Sequence, residues 1–177
     1  LIMHGFFKAV LFLCAGNIAH GLGKSAADIS EVGGLRKHMP VTMACFMAAA
    51  ISLAGIWPAA GFFSKDGIIE ACLEAGPGWA ALALTAAALG AFYISRMLFL
   101  AFFGPSPEQH PGHPQESPLG HPHEAPAGMS VPVGFLALGA LLAGFLSPGI
   151  GRLLLVGRMP SEESLALAPF SWTVFAA

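Results

Sequence analysis

Two adjacent charged residues, Lys65 and Asp66, lie within the otherwise apolar stretch GFFSKDGII. An ionisable group inside an apolar segment of membrane length is costly unless it is solvated or paired, so it marks a functional site by default. Apolar surroundings favour the neutral amine of a lysine, and a nearby carboxylate favours its ammonium form. We therefore expect Lys65 to load and release a proton. The alternative is that Lys65 extends to a membrane interface and pairs with Asp66 or Glu70.

A second pair of titratable residues, His4 and Lys8, stands in an apolar run at the start of the sequence. On a helix this spacing places both side chains on one face, where they can relay a proton or share a water molecule. The alternative is that both lie near a helix end and contact water or lipid headgroups. Asn17 and His20 follow in the same run, and they extend the polar path or simply join neighbouring helices.

The remaining polar groups and the cysteines are predicted to have structural roles. Tyr93 and Arg96 lie one helical turn apart near the end of an apolar segment, which is typical of an interfacial anchor. The three cysteines lie in apolar stretches without the spacing of a metal site, and they are predicted to be buried small residues. No nucleotide-binding, flavin-binding or haem-attachment motif occurs, so we expect neither a cofactor nor a metal on this chain.

Composition places these groups in a membrane. Of the 177 residues, 55% are hydrophobic and only 10% are charged, whereas a soluble domain is typically about 25% charged. The mean hydropathy is +0.70. With a formal net charge of −2 and no run of Lys or Arg, the chain has no surface suited to nucleic acid, which we exclude as a partner. The partners expected from composition are the lipid bilayer and other membrane helices.

Four segments have the length of a membrane span, which is about 20 residues. They are residues 1–22, 40–70, 79–103 and 129–146. The sequence therefore predicts an all-α membrane protein, a polytopic bundle of transmembrane helices. Because an apolar run is already under way at Leu1, we expect both ends of the sequence to be internal to a longer protein.

The second segment is too long for one straight span. Its length from Pro40 to Glu70 corresponds to roughly 46 Å of helix, against a hydrocarbon core of about 30 Å. Pro58 and Gly61 offer a break, because proline removes a backbone donor and glycine permits unusual dihedral angles. We predict a discontinuous helix broken at residues 57–61, with Ser64 capping the second half. Freed backbone groups at membrane depth require polar surroundings.

Residues 105–127 contain seven prolines and four histidines and are predicted to form an extended, solvent-exposed linker outside the membrane. Histidines without preorganised geometry do not predict a metal site. Positive charges favour a cytoplasmic location for the first and third connections, although Arg152 and Arg158 oppose this assignment. We expect residues 1–147 to form the transmembrane domain, and residues 148–177 to form an extramembrane loop and the start of a further region.

The amino-acid sequences of several segments are similar to those of a known family. These segments are HGFFKAVLFLCAGNIAH at 4–20, GGLRKHMP at 33–40, AGIWPAAGFFSKDGII at 54–69, AFYISRMLFLAFFG at 91–104 and HPHEAPAGMSVPV at 121–133. Together they resemble the antiporter-like subunits of respiratory complex I, and most closely the L subunit of NADH-quinone oxidoreductase. The resemblance covers about residues 1–147, in order.

The resemblance implies a helix bundle with two inverted repeats, each containing a broken helix. It implies that Lys65, Asp66, His4, Lys8 and His20 belong to a proton path at mid-depth in the membrane. Trp57 stands where the family often has a proline, which leaves Pro58 as the one breaker, and Gly67 stands where an acid often follows the aspartate. NADH, FMN, iron–sulfur clusters and quinone are expected on other subunits of the complex.

Three functions are compatible with these residues. The first is a proton-translocating subunit of complex I in a bacterial inner membrane, crossing it several times and coupled to electron transfer elsewhere, with other membrane-arm subunits as partners. The second is a subunit of a multisubunit cation/proton antiporter or of the membrane arm of an energy-converting hydrogenase. The third is a structural scaffold in which Lys65 and His4 only contact partners. Dependence of proton transfer on these two residues separates the third function from the others.

Overall fold

The computed structural model describes residues 2–23, 32–105 and 122–155, and every regular element within them is helical. Five α-helices follow in order: α1 (Ile2–Gly21), α2 (Pro40–Ala54), α3 (Ala60–Ala75), α4 (Pro77–Leu98) and α5 (Ala127–Leu155). A short 3-10 turn, Leu35–Lys37, precedes α2, and a π-helical turn, Phe99–Phe103, continues α4. The predicted all-α class is confirmed.

The long second segment is discontinuous, as predicted, but the break begins earlier than expected. Helix α2 ends at Ala54 and α3 begins at Ala60. Gly55 has a φ of 77°, and the amides of Gly55 and Ile56 donate to the carbonyls of Ser52 and Ile51. This pattern is a Schellman motif, in which a left-handed glycine ends a helix. Gly55, rather than Pro58, therefore ends α2.

Proline and glycine also set the other helix boundaries. Pro40 and Pro77 occupy the first turns of α2 and α4. Amides in the first turn have no acceptor within the helix, so proline costs no hydrogen bond there. A single residue, Gly76, separates α3 from α4, and its φ of 135° favours glycine. The helices consequently extend beyond the predicted spans, since α3 reaches Ala75 and α4 begins two residues before Trp79.

Helix α5 also differs from its prediction. It runs from Ala127 to Leu155, so the loop expected from residue 148 does not begin there. Pro148 lies inside the helix, in an apolar run that continues on both sides of it. Residues 156–177 lie outside the described part of the chain. Residues Leu1–Gly144 form one compact unit and Phe145–Ala177 form a second.

The core of the first unit lies between α1, α2, α4 and the beginning of α5. Its buried members include Val10 and Cys14 of α1, Phe46 of α2 and Phe102 of the π-helical turn. Small residues of α5 pack into the same core, namely Ala137 and Ala140. Small side chains allow close approach of helix backbones, which is the usual basis of packing in membranes.

One described helix meets the requirements of a membrane span by length and composition alone. This is α4 with its π-helical turn, Pro77–Phe103, which has 27 residues and contains an 18-residue stretch with a mean hydropathy of 1.7. Large apolar side chains on its surface, among them Leu82, Leu89 and Phe92, are more than 60% exposed. Helix α2 and residues 127–143 of α5 are apolar but shorter. The number of spans stays a prediction.

Candidate functional site

The two halves of the broken helix are joined by a buried contact between side chain and backbone. Ser52 of α2 is fully buried, and its hydroxyl accepts a hydrogen bond of 3.0 Å from the amide of Gly61 in α3. A Cβ at Gly61 would overlap the carbonyl of Ser52. The first turn of α3 therefore lies directly against the last turn of α2, and only glycine permits this approach.

Lys65 lies one helical turn after Gly61 and is half-buried. Its side chain crosses Gly55, since a Cβ built on Gly55 would lie 2.8 Å from Cδ of Lys65 and 3.7 Å from its Nζ. The last carbonyls of a helix carry partial negative charge, which stabilises a nearby ammonium. The structure thus places Lys65 at the break, beside the C-terminus of α2.

One expectation about the surroundings of Lys65 is not met, and the ion pair of the alternative interpretation is not observed. Ser64 does not cap α3, because that helix begins at Ala60, four residues earlier, and its N-cap residue Ala59 has no capping side chain. The amide of Gly61 is bonded by Ser52 instead. Asp66 is exposed beside the half-buried Lys65, because consecutive residues of a helix point about 100° apart. Within the described ranges, Lys65 forms no ion pair with Asp66 or Glu70.

His4 and Lys8 face one open cavity of about 600 Å³ between α1, α2 and α4. Both side chains are exposed. Apart from them and Tyr93 of α4, the groove is lined by apolar residues. The imidazole of His4 contacts Phe7 edge-on, with ring centroids 5.0 Å apart. The predicted placement of His4 and Lys8 on one face of one helix is therefore observed, although Lys65 does not line this groove.

The start of α1 lies beside the break, which brings His4 to a depth similar to that of α3's first turn. Met3 of α1, Ala60 of α3 and Ala143 of α5 form a small buried cluster. Since Met3 precedes His4 and Ala60 begins α3, both titratable sites belong to the same level of the bundle. The start of α1 and the start of α3 are thus in contact, while Lys65 lies at the break and His4 and Lys8 line the groove.

His20 lies at the other end of α1, about 24 Å from His4 along the helix axis. Its exposed ring contacts the ring of His123 edge-on, with centroids 5.8 Å apart. His123 belongs to the end of the Pro-rich linker, and its backbone amide donates to the carbonyl of Gly21. His20 therefore joins a different group of polar residues from His4 and Lys8.

A buried hydrogen-bonded chain lies near His20. The Asn17 amide donates to the Thr42 hydroxyl at 3.4 Å, and that hydroxyl donates to a carboxylate oxygen of Glu124. Glu124 also accepts hydrogen bonds from the backbone amides of Val41, at 2.8 Å, and Thr42, at 3.3 Å. Sequence reasoning missed Glu124, because its partners lie more than 80 positions away. The end of the linker is therefore packed against α2 rather than extended into solvent; residues 106–121 lie outside the description.

The cysteines and Arg36 have structural surroundings. Cys14 and Cys45 are buried and Cys72 is half-buried, all three as free thiols. Arg36 lies over the ring of Phe103 with its guanidinium carbon 5.4 Å from the centroid, which ties the first connection to the end of α4. Within residues 2–23, 32–105 and 122–155, no three His, Cys, Asp or Glu side chains are arranged to hold a metal ion.

Comparison with known proteins adds the family. Residues 1–90 match the transmembrane family described as NADH:quinone oxidoreductase/Mrp antiporter. Subunit L of NADH-quinone oxidoreductase from Mycobacterium tuberculosis is 44% identical over 158 residues, covering 85% of this chain and 25% of the relative. Subunit L of F(420)H(2) dehydrogenase from Methanosarcina mazei is 40% identical over 158 residues, covering 83% of this chain and 22% of the relative.

A third relative is chain 5 of NAD(P)H-quinone oxidoreductase from Synechocystis, which is 42% identical over 116 residues, covering 59% of this chain and 16% of the relative. The chain spans a quarter or less of the length of these relatives. The family match extends from α1 through most of α4, and so includes His4, Lys8 and the break with Lys65. The chain belongs to the NADH:quinone oxidoreductase/Mrp antiporter transmembrane family, as an all-α membrane protein with one discontinuous helix.

Proposed function

We propose that this chain is part of a proton-translocating membrane subunit of a complex I-type NADH:quinone oxidoreductase, in which Lys65 carries the proton. One observation supports the proposal most directly: Lys65 is half-buried against Gly55, where the discontinuous helix breaks. An amine at such a place has both apolar and polar neighbours within reach. The names of the relatives supply the reaction class, because two of them are subunits L of quinone-linked or related dehydrogenases.

At the break, Lys65 lies near both polar carbonyls and apolar side chains. The carbonyls at the end of α2 stabilise an ammonium, whereas the apolar core behind them does not. A movement of α3 relative to α2 would therefore change whether Lys65 holds a proton. The contact between Ser52 and Gly61 is the point about which such a movement would occur, because it is the buried hydrogen bond that joins the two halves.

His4 and Lys8 are proposed to exchange protons with water in their groove, at the same level of the bundle, and His20 to do so at the other end of α1. Asp66 is exposed and is proposed to contact a part of the path outside this chain. NADH oxidation, FMN, iron–sulfur clusters and quinone are assigned to other subunits. The subunit is proposed to cross a bacterial inner membrane several times and to bind other membrane-arm subunits.

A multisubunit cation/proton antiporter is the second candidate, because the family description includes Mrp antiporters. The two functions differ in their driving force. The complex moves protons when NADH is oxidised, whereas an antiporter exchanges protons for cations without an electron donor. Sealed vesicles that acidify on addition of NADH, and do not exchange sodium for protons in its absence, would favour the first function.

The proposal is tested by Lys65→Ala in the complete subunit within its assembled complex. Proton translocation should fall to near zero, because the methyl group of alanine cannot hold a proton at this position. Lys65→Arg should fare little better, since a guanidinium hardly deprotonates. Lys37→Ala is the matched control and should pump normally, because Lys37 is exposed in the 3-10 turn before α2. A normal proton-to-electron ratio in an assembled Lys65→Ala complex would contradict the proposal.

A further inference from the structure

The groove that contains His4 and Lys8 has a third polar side chain, Tyr93, on its opposite wall. Tyr93 belongs to α4, whereas His4 and Lys8 belong to α1. It is the one tyrosine of the chain. All other residues that line the groove are apolar, so His4, Lys8 and Tyr93 are its three polar side chains.

Tyr93 lies within the apolar segment of α4, at a distance from both of its ends. Helix α4 and its π-helical turn extend from Pro77 to Phe103. Tyr93 lies about 24 Å from the start and about 15 Å from the end of this segment along the helix axis. Because this segment is longer than a hydrocarbon core of about 30 Å, Tyr93 lies at least about 6 Å inside a core that the segment spans. A phenol inside an apolar core gains from polar groups nearby, and His4 and Lys8 line the same groove.

Tyr93 differs from the other hydroxyl residues of α4. Thr85 and Ser95 each donate to a carbonyl of their own helix, four residues earlier, at 2.7 Å. Their hydroxyl protons are therefore already engaged. In the part of the chain that the structure describes, the Tyr93 hydroxyl makes no such bond; the residue is 58% exposed and lines the groove. Of the hydroxyl groups of α4, the Tyr93 hydroxyl is therefore the one without a hydrogen bond to its own helix.

We infer that Tyr93 is a third proton-transfer residue of this groove, acting with His4 and Lys8. The inference rests on the proposed function. In the transfer step, the Lys8 ammonium gives a proton, through water, to the phenol oxygen while the phenol proton passes on to neutral His4. Lys8 becomes neutral, His4 becomes an imidazolium and Tyr93 is regenerated. One proton moves and no electron does. The reverse sequence of steps returns it.

The test is Tyr93→Phe in the complete, assembled complex, because phenylalanine keeps the ring and removes only the hydroxyl. Proton translocation should fall by about tenfold or more, since general acid–base groups typically contribute about 10²–10⁴-fold. Ser95→Ala is the control: it removes a hydroxyl from the same helix, one that is bonded within the helix, and should pump normally. Translocation at the wild-type rate in Tyr93→Phe would overturn the inference.

A double variant separates a shared path from a general loss of activity. If Tyr93 acts with Lys8, Tyr93→Phe should add no further loss in a Lys8→Ala background. Additive losses would place Tyr93 outside this path and overturn the inference. The outcome is distinguishable from failure of the proposed function, because Lys65→Ala tests the latter alone. A complex that loses pumping with Lys65→Ala but pumps normally with Tyr93→Phe refutes only the role of Tyr93.

Discussion

Gly55 serves two purposes that any side chain would disturb. Its φ of 77° ends α2 in the left-handed region, which residues with a Cβ rarely adopt. The same residue provides the bare backbone surface along which Lys65 lies. A helix end and the position of a titratable side chain are thus determined by one missing Cβ. Lys65 therefore depends on its surroundings in α2 as much as on its own helix.

Gly55→Ala is predicted to affect both stability and transport. The left-handed backbone costs an L-residue about 1–2 kcal/mol, so the thermal unfolding midpoint of the subunit should decrease. Proton translocation should also decrease, because the new Cβ would displace the Lys65 side chain.

Gly67→Ala is the matched control for that substitution. Gly67 lies in α3 with open space around its Cα, so alanine should be neutral or stabilising by up to about 1 kcal/mol. If Gly55→Ala matched wild type in both measurements, the assigned contact between Gly55 and Lys65 would be wrong. Differential scanning fluorimetry and NADH-driven acidification of vesicles provide the two measurements.

At the scale of elements, the two ends of α2 are held by different means. Its C-terminus is joined to α3 through Ser52 and Gly61. Its N-terminus has no capping side chain from its own N-cap residue, Met39, and the carboxylate of Glu124 supplies the acceptor instead. A negative charge at a helix N-terminus is favourable because the first amides carry partial positive charge. The segment before α5 thereby fixes the first half of the broken helix.

Glu124→Ala is predicted to destabilise the subunit by about 1–3 kcal/mol, because two backbone amides and the Thr42 hydroxyl lose their acceptor. Glu124→Gln should cost less, since the amide oxygen still accepts one of these bonds. Glu70→Ala removes an exposed carboxylate from α3 and is the control, which should change stability little. Chemical or thermal unfolding of the purified complex measures all three variants. Equal stability of Glu124→Ala and wild type would show that the cap contributes nothing.

At the scale of the whole first unit, the connections on either side of α2 and α4 meet at one end of the bundle. A Cβ at Gly33 would overlap the carbonyl of Pro105, and Glu124 caps α2 from the linker. The turn at Gly76 ends α3 and begins α4, so it lies at the opposite end of these two helices. The first and third connections therefore share one side, in agreement with the charge pattern. Which side faces the cytoplasm stays a prediction.

Cysteine labelling in sealed vesicles tests this arrangement. Lys37→Cys and His123→Cys should react with a membrane-impermeant maleimide from the same side, and Glu74→Cys should react from the other. Cys72 would first be replaced by serine, because it is only half-buried. Labelling of Glu74→Cys from the same side as Lys37→Cys would refute the placement of Gly76 at the opposite end.

The sequence by itself determined the helices, the break and the identity of the titratable residues. Apolar runs, prolines and glycines act on the backbone within a few residues, so α1, α4 and the discontinuity could be predicted. Gly55, a glycine after an apolar run, is itself a local signal for the end of a helix, in addition to the predicted breaker Pro58. The family resemblance, now supported by the match over residues 1–90, added the expected proton path.

Only the tertiary structure decided which of these residues meet. His4 and Lys8 share a groove with Tyr93, whereas His20 contacts His123 at the other end of α1. Glu124 reaches Val41 across 83 positions. Such contacts depend on how whole helices pack, and helix packing is decided by the sum of many apolar contacts rather than by any local pattern. The sequence therefore determines which polar groups are present, and helix packing determines which of them lie together in one site.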